Sequence, residues 1–155
     1  MPRNSIYQPV QGVKEIRDFL KQFPDEVKST VLAPMVKAGG GVLLGFARAF
    51  APQDEGDLLL SLDQVVRQKP KAGTAVSVIG PRRDYIRDGK RPANTAHLPE
   101  YGFVARNGRF VPPKPYMRPA LQVGAAPAAV AMAGAATVGV ERARRKLVKQ
   151  YGHAA

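Results

Sequence analysis

Between Pro119 and Val140 the chain runs 22 residues without a charge, and Arg142, Arg144, Arg145 and Lys146 follow at once. An uncharged stretch of that length with a basic flank has the dimensions of a membrane-spanning helix. Its content argues against one. Most of it is Ala and Gly, Gln122, Pro127 and Thr137 interrupt it, and only Leu121, Met132 and four Val are strongly apolar. Ala favours helix, and small side chains let backbones approach closely, so the expectation is a small-residue helix packed against protein, with no membrane partner.

The rest of the chain has room for one ordinary domain: 155 residues, 45% hydrophobic and 23% charged. The expected division is an N-terminal arm over 1–12, a single α+β domain over 13–140 and a basic C-terminal tail over 141–155. The first thirty residues are polar and carry Pro2, Pro9 and Pro24, which does not fit a secretory signal. With no Cys, disulfides, thiolate metal sites and cysteine nucleophiles are excluded, and His97 and His153 are too few for a His-rich metal site.

Within the domain, Val13, Ile16, Leu20 and Phe23 fall at helical spacing, which predicts a short helix over Val13–Gln22. A longer helix is expected from about Pro24, with Val27, Val31, Met35, Val42 and Phe46 on its apolar face. Pro34 and the run Gly39-Gly40-Gly41 oppose it unless the helix kinks or packs closely on a neighbouring backbone. Neither GxGxxG nor a P-loop pattern can be laid over the triple glycine. Ala51–Gly56 reads as a loop, and Asp57–Leu62 leads into strand-like alternation through Val66. Thr74–Ile79 alternates as a strand ended by Gly80-Pro81, and Arg82–Pro99 reads as an exposed loop. Phe103–Arg106 and Arg109–Val111, joined by Asn107-Gly108, predict a β-hairpin with a type I′ turn. The whole is an α+β pattern: an antiparallel sheet packed by a long N-terminal and a C-terminal helix, with a projecting hairpin.

No catalytic constellation emerges. Ser5, Ser29, Ser61 and Ser77 lack a nucleophile-elbow context, Asp54, Glu55 and Asp57 sit in turn-like sequence without metal-loop spacing, and His97 has no local partner. No enzyme activity, cofactor or metal is expected. The charge is more informative: 24 Lys+Arg against 12 Asp+Glu give +12, and residues 101–155 hold 9 basic groups to 1 acidic. Such an excess favours a polyanionic or acidic partner. The loop Arg82, Arg83, Arg87, Lys90 and Arg91, with Tyr85 able to stack, the hairpin residues Arg106 and Arg109, and the tail residues Arg142, Arg144, Arg145 and Lys146 are the candidate assembly or DNA-facing groups. No helix-turn-helix, zinc or RNA-recognition signature accompanies them.

Three stretches carry a resemblance. Ala51-Pro52-Gln53-Asp54-Glu55-Gly56-Asp57-Leu58, Ala96-His97-Leu98-Pro99-Glu100-Tyr101-Gly102 and Pro112-Pro113-Lys114-Pro115-Tyr116-Met117-Arg118-Pro119-Ala120-Leu121 resemble, in this order, elements of the tailed-phage tail-completion or head-tail joining (neck) family of minor tail proteins. Glu55 stands where that family usually has Thr, and Thr95 where it has Tyr. The resemblance implies a small α+β subunit that forms a homo-oligomeric ring, six-fold in the family, at the head-tail junction of the virion after assembly in the host cytoplasm. Its implied partners are tail-tube, tail-terminator and connector proteins, with genome DNA passing through the channel. A tail terminator or connector stopper is the nearest alternative, and a basic nucleic-acid-binding accessory protein is the alternative of another class. Pro52, Gly56, Leu58, Glu100, Tyr101, Gly102, Pro115, Arg118 and Pro119 are the expected structural positions. Gly56 is expected to relieve the backbone above Leu58, and Glu100 and Arg118 to meet as a bidentate ion pair joining a strand to the start of the last helix.

Overall fold

The computed structural model describes residues 25–53, 57–69 and 73–151. The arm, the helix expected over Val13–Gln22, Asp54, Glu55, Gly56 and His153 lie outside the described residues. The elements are α1 (Asp25–Phe50), α2 (Asp57–Ser61), β1 (Leu62–Lys69), β2 (Thr74–Pro81), α3 (Pro92–Thr95), α4 (His97–Tyr101), β3 (Phe103–Val104), β4 (Phe110–Val111) and α5 (Met117–Tyr151). The fold is α+β: α1 lies at the centre, α5 packs antiparallel along one side of it, and the antiparallel β1–β2 ribbon packs on another.

Close approach at glycine explains how α1 survives Pro34 and three consecutive glycines. Gly39 faces α5, where a Cβ would collide with Met132 and stand 3.2 Å from the Ala128 carbonyl. Gly40 faces the ribbon, where a Cβ would collide with Gln64 and Ser77. The Gln64 amide fills that space: its Nε2 donates to the Lys37 carbonyl at 2.9 Å and to Ser77 Oγ at 2.8 Å, tying sheet to helix. The facing seam of α5 is equally small. Ala120, Gly124, Ala128, Gly139 and Ala143 are buried, a Cβ on Gly124 would lie 2.9 Å from Leu43 and Phe46 atoms, and one on Gly139 would lie 3.0 Å from the Val31 backbone. Packing at these contacts replaces the helix propensity that Gly and Pro forfeit.

The core consequently divides in two. One cluster, Val31, Leu32 and Ala143, gathers Ala75, Ala136 and Leu147. The other, Ala47, Ala51, Leu62, Tyr116 and Ala120, gathers Phe46, Leu58 and Met117. Between them the helices approach over Gly and Ala. Both α1 and α5 have the length and apolar composition to cross a membrane, but α1 carries α5 and the ribbon on its flanks.

Several local expectations are corrected. The lead-in to β1, Asp57–Ser61, is a helical turn, because one turn aims Leu58 and Leu59 together at the second cluster. Gly80 and Pro81 belong to β2, whose last residue pairs with Leu62 at the ribbon end, where no further ladder bond needs a proline N–H. Arg82–Pro99 is not one loop: it contains α3, with buried Pro92 at its first position, and the start of α4. The β3–β4 hairpin exists, but its turn is not type I′. Gly108 has a φ of +78° while Asn107 stays negative, and the Gly108 N–H reaches the Ala105 carbonyl at 2.8 Å. This is the three-residue loop with Gly in the left-handed position. The segment read as a basic tail is helical as far as Tyr151.

The glycine seam yields a paired test. Gly45, also within α1, has open space where a Cβ would stand, with nothing within 4 Å, so Gly45→Ala raises stability by about 1 kcal/mol through propensity. Gly39→Ala gains the same propensity but overpacks the seam and lowers stability by about 1–3 kcal/mol. Urea unfolding of both variants checks the opposite signs; two increases would refute the seam.

Candidate functional site

The three stretches that carry the resemblance are separated along the chain and converge in space. Glu100, on the one-turn helix α4, is 7% exposed and aims its carboxylate at the start of α5. Its Oε2 accepts from the Tyr116 N–H at 2.9 Å and the Met117 N–H at 3.0 Å, and its Oε1 from the Arg118 N–H at 3.2 Å. The first amides of a helix have no intrahelical acceptor and carry its positive dipole end, so a buried carboxylate is stabilised there. Pro119 sits in the first turn, where a missing N–H costs nothing, and exposed Pro115 immediately precedes the capped residues.

Glu100 and Arg118 do meet, but not as the bidentate pair expected, and Glu100 lies on a helix rather than a strand. The single contact between the two side chains is Arg118 Nε to Glu100 Oε1 at 3.7 Å, because the carboxylate lone pairs are already turned to three backbone amides. The Arg118 side chain, 64% exposed, lies over the Tyr101 ring at 5.1 Å instead. Gly102 then turns the chain with φ +73°, where a Cβ would come within 2.8 Å of the Val111 carbonyl, and the Lys114 N–H bonds the Pro99 carbonyl at 2.7 Å. Pro52 and Leu58 from the first stretch border a hollow of about 470 Å³ together with Ala96 and Pro99.

Tyr116 is buried beneath this junction, its hydroxyl donating to the Ala96 carbonyl at 3.3 Å. Burial, and then the nearby Glu100 charge, raise its pKa above the ordinary value of 10.0. A larger hollow of about 600 Å³ opens beside it between Leu43, Ile79, Tyr101 and Leu121. Exposed His97 borders that hollow. Of the serines considered as nucleophiles, Ser61 donates to the Leu58 carbonyl and Ser77 accepts from Gln64.

The basic candidates divide into separate surfaces. In the loop, Arg82 lies 3.3 Å from Asp84 and 4.0 Å from Asp63, and Arg87 lies 2.9 Å from Asp57, whose charge raises the Arg87 pKa, with Tyr85 contributing. Lys90 is joined to Arg87 through paired backbone hydrogen bonds, and Arg83 and Arg91 are exposed. Arg106 and Arg109 flank the hairpin turn. Arg142, Arg144, Arg145 and Lys146 are exposed at the far end of α5, by the first core cluster. Two basic residues there are not singled out by the sequence patterns, Arg67 and Lys69. The alternation of β1 is the signal that marks them, since both share the outward face of Val65.

The apolar surface is the less usual feature. Among the described residues, Val31, Leu32, Val36, Leu62 and Tyr116 are the large apolar side chains that are buried, whereas fourteen are exposed. Nine of them lie on three elements: Leu121, Val123, Val130 and Val138 along α5, Val65, Val76 and Val78 on the outer face of the ribbon, and Val104 and Phe110 on the hairpin.

Removing the Glu100 cap by Glu100→Ala leaves buried amides unpaired and costs about 2–3 kcal/mol in urea unfolding, whereas Arg118→Ala costs under about 1 kcal/mol. For Tyr116 the raised folded pKa means that its contribution is whole below pH 10 and is lost as pH rises through the folded value. Tyr116→Phe therefore removes this part of the alkaline loss of stability, measured by unfolding at successive pH values. No protein-family model, no curated protein and no solved structure matches this chain.

Proposed function

We propose that this chain is a structural subunit of a long-tailed phage virion, a tail-completion or neck protein that works by assembling into a ring at the head-tail junction. The observation that carries the reading is the exposed apolar surface: fourteen large apolar side chains are exposed among the described residues, against five that are buried. Isolated domains rarely expose such surface, and each Val buried on association contributes about 1.5 kcal/mol or more.

The faces are not equivalent, which suits a ring. A closed ring of like subunits joins one patch to a different patch on the next copy, and the uncharged flank of α5, the ribbon and the projecting hairpin supply distinct patches. Convergence of the resembling stretches on the start of α5 also supports the family reading, since Ala51 and Leu58 share a core cluster with Tyr116 and Ala120, and Glu100 caps the same helix. In such a ring the Arg82–Arg91 loop and the hairpin tip are positive docking groups for acidic faces of tail-tube or connector subunits.

Electron microscopy and native mass spectrometry of the purified protein, with and without tail tubes, test this. Discrete rings are expected, of six copies if the family number holds. Val130→Glu with Val138→Glu, both at exposed positions of α5, is expected to give monomers with an unchanged circular dichroism spectrum. A protein that stays monomeric and ignores tails, or one that floats with liposomes through the same apolar face, overturns the proposal.

A further inference from the structure

We infer that the end of the molecule formed by the last turns of α5 and the tip of the β1–β2 ribbon binds the phosphate backbone of duplex DNA without regard to base sequence. Arg142, Arg145, Lys146 and Lys149 follow one another at steps of three, one and three residues, which places them within an arc of about 100° on the helix. All four are exposed. Ala143 is buried with Val31 and Leu32, and Leu147 packs on the same cluster, so this part of the helix is held against the body of the protein. Ala75 packs there too and pairs with Gln68, which brings exposed Arg67 and Lys69 to the same end.

These charges are left unneutralised by described neighbours. The ion pairs among the described residues involve Asp57, Asp63, Asp84 and Glu100, all at other places. Glu141 is the one acidic residue of α5, and α1 begins with Asp25 and Glu26 at this end. Against those three stand Arg67, Lys69, Arg142, Arg144, Arg145, Lys146 and Lys149. The helix dipole accounts for little of the clustering, because it acts within the last turn, where Lys149 is the basic residue.

The stripe spans about 10 Å at 1.5 Å per residue, a length that along the duplex axis covers about three phosphates of one strand. No aromatic side chain lies among residues 142–149, whereas protein-protein interface cores favour aromatics and are depleted in charged residues other than Arg. A phosphate backbone therefore suits this surface better than an acidic protein face.

Fluorescence anisotropy of a labelled duplex of arbitrary sequence, titrated with the full chain at several salt concentrations, is the test. The variant R142Q/R145Q/K146Q/K149Q is expected to weaken binding at least tenfold, roughly, and to reduce the slope of log K against log salt by about 3–4. Its thermal midpoint reports folding, and the pair R142Q/K146Q, with about half the slope change, serves if the fourfold variant is unstable. The control R82Q/R83Q/R87Q/R91Q removes equal charge from the loop. Equal losses from both fourfold variants mean that total charge drives binding, and no loss from the first means that this end serves an acidic protein surface; either result overturns the inference. Binding is read from monomer or ring alike, so the outcome is separate from that of ring formation.

Discussion

The close approach of two elements to the middle of α1 is the constraint on which the rest of the structure depends. At Gly39 and Gly40 the helix offers no side chain, so α5 comes in on one side and the ribbon on the other, each touching backbone or the root of a side chain. Dispersion contacts at such short range are individually small and collectively large. Glycine is unfavourable in an isolated helix, so α1 depends on its neighbours for its form as much as they depend on it. Gln64 makes the dependence directional, since its amide joins the Lys37 carbonyl to Ser77 and fixes where the ribbon sits along the helix.

At the other end the Glu100 carboxylate sets where α5 begins. A side chain sixteen residues upstream satisfies the amides of Tyr116, Met117 and Arg118, so the position of α5 is tied to α4, and through Tyr116 to the second core cluster. The long helix is thus registered twice, by a buried charge at its start and by small residues along its flank.

A seam of Ala and Gly gives close contact but buries little area per residue, so such a core leaves much apolar surface outside. The outward Val residues of α5 and the ribbon are the counterpart of that thin core. They agree with a chain whose stability is completed by neighbours in an assembly, and the division of basic charge between a paired loop and an unpaired helix end gives such a subunit two chemically different ends.

Much of the architecture was legible in the sequence because it is written in local periodicity: the spacing of Val31 and Met35, the alternation of Thr74–Ile79, the Asn-Gly turn and the uncharged run after Pro119. The mixed helix and strand class follows from those patterns alone. What the triple glycine does, which partner Glu100 chooses, and that Arg67 and Lys69 share an end with Arg142–Lys149 required the tertiary structure. Glycine has no side chain from which a direction can be read, and a carboxylate takes whichever donors the fold brings within hydrogen-bond reach. Charges distant in sequence come to one end of the molecule only when the chain between them has folded back.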